Sequence, residues 1–280
     1  MSKNLHRRNV REHFGMGRAR DGCKSAFVRP PRNGPPAGDD VITIELLALD
    51  LLELIAHLKW PEVALLGYSM GGVIAQQLLT LPFREVSPVR LPFTITHVLL
   101  APTRCKVHAN TGLRIAPQVG NRPLTPEERK AITRRVVGSL FDPAWIELNP
   151  ARFELLLNRS IDNLRLETSR YPRFWNRVYL LGEIAKQGAA LQKFKFDHLL
   201  CKIPSHTRIL VVHGMLDQVI PYHCGEEIVN SIPNVRSAEL GVGSGQIPSL
   251  DFGHYFYQYF DARVWYDLLH NFVEERSDSY

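Results

Sequence analysis

Cysteine is scarce in this chain. Four occur in 280 residues, Cys23, Cys105, Cys201 and Cys224. No two share a C-x-x-C spacing and none is read as having metal-like partners, which argues against a zinc module, a dithiol redox motif or a disulfide scaffold. They read as reduced thiols of a cytoplasmic protein. Long apolar runs are missing too. No stretch is long enough to span a bilayer, and no signal-peptide h-region is present. There is no internal repeat, no G-x-G-x-x-G and no phosphate loop. Gly15-Met16-Gly17 lacks both the spacing and the strand context of a dinucleotide site. Neither an organic cofactor nor a metal is expected.

Hydrophobic residues make up 45% of the chain, as in an ordinary globular protein. The formal charge of +6 is unevenly spread. The first 32 residues hold nine Lys or Arg against two acidic residues. No aromatic interleaving or amphipathic face accompanies this charge. A solvated, poorly ordered segment over residues 1–40 is therefore expected rather than a nucleic-acid or membrane-surface arm, and no specific nucleic-acid partner is expected. An Arg-rich transit peptide is the other reading, and Glu12 and Asp21 weigh against it.

From residue 41 the pattern becomes periodic. Ile44, Leu47, Leu51, Ile55 and Leu58 recur at helical spacing, predicting a helix over 43–59 with Thr43 near its start. Glu62–Gly67, Phe93–Ala101, Arg208–His213 and Arg236–Leu240 read as strands. Helices are predicted over Met70–Leu81, Cys224–Ser231 and Ala262–Glu275. Between the second and third strands, residues 106–205 are helical in character. Thr125-Pro126-Glu127-Glu128 is a capping box with proline at the first helical position. Asn149-Pro150 starts another helix, and a third run follows Pro172 through Leu191. Strands alternating with helices predict a mostly parallel sheet covered on both faces.

The chemistry centres on Val63-Ala64-Leu65-Leu66-Gly67-Tyr68-Ser69-Met70-Gly71-Gly72. An apolar strand runs into G-x-S-x-G and a helix follows at once, so a serine hydroxyl stands at the tip of a sharp turn. Gly67 and Gly71 are expected to let strand and helix approach. Such an elbow requires a later carboxylate and a still later histidine. Asp217 stands just past a buried strand, in His213-Gly214-Met215-Leu216-Asp217, with Pro221 beyond. His254 stands in a loop before the last helix, in Asp251-Phe252-Gly253-His254. Each alone has an ordinary reading: a glycine-rich turn, a helix cap, a satisfied loop histidine. Their order favours a catalytic set. His213 reads as buried structure, and Tyr222-His223 as the start of a helix. Phe252, Tyr255, Phe256, Tyr257, Tyr259 and Phe260 crowd His254 and suit core packing, or in part an apolar substrate pocket. Trp145 and Trp175 are further candidates to face substrate.

The elbow, His213-Gly214-x-x-Asp217-x-x-x-Pro221 and Gly253-His254 together resemble the α/β-hydrolase family, over residues 41 to 275. The resemblance implies a core of 41–105 and 206–280 with an inserted helical cap at 106–205. It implies Ser69 as nucleophile, His254 as general base and acid, Asp217 as the carboxylate that orients it, and the Met70 N–H as an oxyanion donor. The substrate would be a small ester-like acyl compound. A serine at the elbow argues against epoxide or haloalkane hydrolysis, for which relatives use aspartate. The family also carries strands and a His-Gly oxyanion motif ahead of the elbow. Phe14–Arg18 resembles its glycine turn after the fourth strand, so the sheet is expected to be incomplete. Either the gene model is short, the chain is a degenerate relative, or a partner supplies strands. An exposed sheet edge at Val63–Leu66 would invite self-association. A non-catalytic binding protein of the same fold is the alternative.

Overall fold

The structure, a computed structural model, describes residues 16–18, 24–26, 42–109, 111–112, 125–170 and 186–274. Strands β1 (Met16–Arg18) and β2 (Lys24–Ala26) form a small antiparallel pair separate from the main sheet. Met16–Arg18 is thus a strand where a glycine turn was expected. The rest of the basic segment lies outside the described residues.

The main sheet contains β3 (Glu62–Tyr68), β4 (Thr94–Ala101), β5 (Arg208–Val211) and β6 (Val235–Ser237), all parallel and in that spatial order. The third strand stops at Val211 rather than His213, although the Val212 N–H still donates to Leu100 O at 2.9 Å. The fourth lies slightly earlier than predicted, and Leu240 instead bridges Ile247.

Period-two alternation builds two apolar layers. Val98, Leu100, Ile209 and Val211 face a core shared with α1 (Ile44–Leu58), α2 (Met70–Thr80) and α6 (His223–Ser231). Leu99, Ala101, Leu210 and Val212 face α7 (Ala262–Glu274) through Trp265, Leu268 and Phe272. Leu78 and Leu100 are fully buried, and each such side chain contributes roughly 1.5–3 kcal/mol. Thr43 caps α1, its hydroxyl accepting from the Leu46 N–H at 3.1 Å.

Among the described strands β3 is an edge, with β4 as its neighbour. Leu66 is 53% exposed and Ala64 is exposed, on the face that α7 covers farther along the sheet.

Between β4 and β5 come α3 (Pro126–Gly138), α4 (Pro143–Leu148) and α5 (Pro150–Arg170). Both arms of the Thr125–Glu128 capping box are made. Helix α4 was not expected, yet Asp142-Pro143 starts it by the same logic, with the Trp145 N–H donating to Asp142 Oδ2. The run expected from Pro172 lies outside the described residues except near its end, where 186–190 is helical. These helices pack Phe141, Trp145, Phe153 and Leu157 against Val219 and Ile220 beyond the carboxyl end of β5. No helix among the described residues is long and apolar enough to cross a membrane.

Candidate active site

Ser69 occupies the single position between the end of β3 and the start of α2. Its φ of 53° and ψ of −121° place a non-glycine residue in left-handed space. Glycine is required on either side of this turn, but not at both expected places. A Cβ on Gly67 would lie 2.7 Å from Gly72 Cα and 2.9 Å from Gly71 O. A Cβ on Gly71 would meet nothing within 4 Å, so the expectation for Gly71 is corrected. Gly72 is the second tight position, where a Cβ would lie 2.5 Å from the Thr103 side chain. Thr103, beyond the end of β4, donates its hydroxyl to Ser69 O at 2.7 Å. It holds the elbow from the neighbouring strand, a role with no signal in the sequence.

The loops at the carboxyl ends of the strands bring Ser69, Asp217 and His254 together. Ser69 Oγ lies 3.1 Å from His254 Nε2, and His254 Nδ1 lies 2.8 Å from Asp217 Oδ2. A carboxylate only accepts, so Nδ1 carries the proton and Nε2 presents its lone pair to the Ser69 hydroxyl. The other carboxylate oxygen, Oδ1, accepts the Val219 and Ile220 N–H groups at 2.8 and 2.9 Å. Burial alone would raise the Asp217 pKa. The flanking His213 and His254 and the Ile220 amide outweigh it and hold the group down at about 2. Asp217 is therefore ionised at neutral pH. Met70 opens α2, and its N–H is one of the first-turn donors that a helix leaves unpaired within itself.

His213 is buried. Its Nε2–H donates to Ile220 O at 2.8 Å, while Asp217 Oδ2 is 3.6 Å away, too far for a hydrogen bond. It braces the acid loop. His223 opens α6 as expected. The aromatic residues around His254 mainly pack: Phe252 and Phe256 join the α7 core, and Tyr255 and Tyr259 join Phe141 and Trp145. Trp145 stacks on Phe141 with centroids 4.4 Å apart and is buried rather than open to substrate. Trp175 lies outside the described residues. Tyr68, the middle letter of the elbow motif, packs its ring 5.2 Å from His254. Burial and the nearby Tyr257 and Tyr255 drive its phenol well above the usual range, so it stays neutral. The α3–α4 junction is tied to the histidine loop by Tyr255 N–H to Leu140 O, 2.9 Å, and Asp142 N–H to Tyr259 Oη, 2.7 Å.

Cys105 and Cys224 are buried, Cys201 is exposed, and all three are free thiols. His223 adjoins Cys224 in the sequence, and folding brings His108 beside both.

The profile of the Alpha/beta hydrolase family matches residues 13–251. The chain belongs to the α/β-hydrolase family. Among α/β-hydrolase relatives, 3-oxoadipate enol-lactonase 2 of Acinetobacter baylyi is 31% identical over 114 residues, covering 40% of this chain and 38% of that protein. The matched stretch is thus well under half of that relative's length. Among solved structures, an esterase (EaEST) from Exiguobacterium antarcticum aligns with TM-score 0.53 and 20% identity, over 88% of this chain and 79% of that one. The enol-lactonase from Burkholderia xenovorans LB400 aligns with TM-score 0.54 and 20% identity, over 85% and 76%. These two likenesses carry the fold of an α/β-hydrolase, a mostly parallel sheet flanked by helices.

Proposed function

We propose that this α/β-hydrolase is a serine hydrolase that cleaves a small carboxylic ester or lactone through Ser69, His254 and Asp217. The observation that carries this reading is the unbroken hydrogen-bond chain from Ser69 Oγ through both ring nitrogens of His254 to Asp217. In the proposed reaction His254 Nε2 takes the Ser69 proton as Oγ attacks the acyl carbon. It then returns that proton to the leaving oxygen. Asp217 stabilises the imidazolium without taking the proton itself. Water repeats the sequence to release the acid. The Met70 N–H supplies one oxyanion donor, a contribution of about 3–4 kcal/mol to the barrier in comparable sites. An ester or lactone rather than another acyl compound is favoured by the names of the enol-lactonase and esterase relatives. Helices α3–α5 serve in this reading as a cap over the acyl pocket.

A fluorophosphonate probe tests the reading. Wild-type protein is expected to be labelled on Ser69, with labelling lost in Ser69→Ala and strongly reduced in His254→Ala. Labelling that persists in Ser69→Ala would overturn it.

We infer further that β3, an edge among the described strands with Leu66 and Ala64 exposed on one face, pairs with a second copy of the chain. Light scattering after size exclusion is expected to give a mass above 31.9 kDa. A stable monomer at micromolar concentration contradicts this.

A further inference from the structure

Away from the triad, three ligand-type side chains unused by the proposed hydrolysis converge. His108 follows β4 in the loop over 102–109, and His223 and Cys224 open α6. One donor atom from each lies within 4.8 Å of the other two. The two imidazoles meet edge to face, with centroids 5.4 Å apart and planes at 87°. Cys224 is fully buried, His108 is partly buried and His223 is exposed.

A fourth residue gives the cluster the build of a coordination site. His108 Nε2 is 2.7 Å from Glu227 Oε2, one helical turn along α6 from His223. A carboxylate that accepts one imidazole N–H leaves the other ring nitrogen with its lone pair and fixes the ring in place. This outer-sphere partner is the one that metal-bound histidines commonly have.

We propose that His108, His223 and Cys224 bind a borderline-soft divalent cation, Zn²⁺ above all, with a fourth position open to water beside His223. Nitrogen and sulfur donors select Zn²⁺ or Co²⁺ over Mg²⁺ and Ca²⁺, which need oxygen. Tetrahedral Zn–N and Zn–S bonds place donor atoms about 3.3–3.6 Å apart. From separations of up to 4.8 Å the group therefore closes by at most about 1.2–1.5 Å, within reach of rotation by the exposed His223. Coordination replaces the Cys224 S–H bond with an S–metal bond, and the proton leaves to solvent.

The site would clamp the loop after β4 to the segment that seats Asp217. That segment runs from Asp217 through the Val219 and Ile220 amides to the turn in which Cys224 N–H donates to Pro221 O at 2.9 Å. Just past that loop, Gly112 N–H donates to Val219 O at 2.8 Å, a hydrogen-bonded tie to the same segment. An ion would add a second tie between them.

Titration of Zn²⁺ into the reduced, tag-free, full chain tests the proposal. One ion per chain is expected, with at least tenfold weaker binding in both His108→Ala and His223→Ala. Co²⁺ should give a thiolate-to-metal charge-transfer band that Cys224→Ser lacks. The histidine variants keep the test valid if the buried cysteine variant fails to fold. His254→Ala should leave Zn²⁺ affinity unchanged. No binding at tenfold excess, wild-type affinity in either histidine variant, a Co²⁺ complex without a thiolate band, or loss of the ion in His254→Ala would each overturn the proposal.

Discussion

The backbone state of Ser69, φ 53° and ψ −121°, costs an L-residue roughly 1–3 kcal/mol. Glycine enters that region without steric cost. Two substitutions therefore separate strain from chemistry. Ser69→Ala removes the hydroxyl and keeps the strain. Ser69→Gly removes the hydroxyl and releases the strain, but frees the unfolded chain by roughly 0.4–1 kcal/mol. The lost hydrogen bond to His254 Nε2, 3.1 Å long, costs about 0.5–1.5 kcal/mol in both and cancels from the comparison. The glycine variant should then be more stable than the alanine variant by about 1 kcal/mol, the relief less the added freedom. For a chain of this size that is a Tm difference of about 2 °C. Thermal and urea unfolding followed by circular dichroism measure it, while probe labelling verifies that both variants are inactive. An alanine variant as stable as the glycine one refutes strain at the elbow.

Other consequences can be checked in parallel. Gly72→Ala drives a Cβ to 2.5 Å from Thr103 and should destabilise by about 1–3 kcal/mol. Gly71→Ala, where a Cβ meets nothing, should be neutral or stabilising by up to about 1 kcal/mol; a thermal-shift comparison decides. Thr103→Val keeps the shape but removes the donor to Ser69 O, so kcat on an ester substrate should fall with little change in KM. Asp217 has its pKa lowered from 3.8 to about 2 in the fold. Its contribution is therefore fully present above pH 4 and is lost as pH falls from about 4 to about 2, a loss on the order of 2 kcal/mol. Urea midpoints across that window should fall more steeply for wild type than for Asp217→Asn. Burial raises the thiol pKa of Cys105 to about 11 and of Cys224 to about 12, so native alkylation at pH 8 should reach exposed Cys201 well before either.

Much of this architecture was legible because its signals are local. Thr43, the Thr125–Glu128 box and Asn149-Pro150 mark helix starts within a few residues, and each helix begins where they stand. The order Ser69, Asp217, His254 was legible because an elbow fixes the sequence of its partners along the chain. What stayed hidden depends on neighbours distant in sequence. Gly71 and Gly72 look alike in the motif, and only Thr103, 31 residues beyond Gly72, makes one of them indispensable. The pairing of His108 with Glu227, 119 residues apart, has no periodicity to betray it. At β5 the apolar Val212 still donates to Leu100 O just past the strand's last residue, and at β6 Leu240 bridges Ile247 instead of continuing the ladder, so both strands end short of the expected residue. Helix α4 starts at Asp142-Pro143 by the same signal that marks α5, but its six residues are too few to show a helical period.

The separations within the proposed triad also bear on how the molecule assembles. His254 meets Asp217 across 37 residues but meets Ser69 across 185. Closing the longer loop costs about 1.4 kcal/mol more chain entropy if the loops behave as flexible coils. The His254–Asp217 pair is thus favoured to form early, within the C-terminal part of the chain, before the β4–β5 pairing that joins the elbow to it, a slow class of contact. Refolding protein should regain near-ultraviolet circular dichroism ahead of its reactivity toward the serine probe. Reactivity at Ser69 then serves as a clock for the last long-range contact to close.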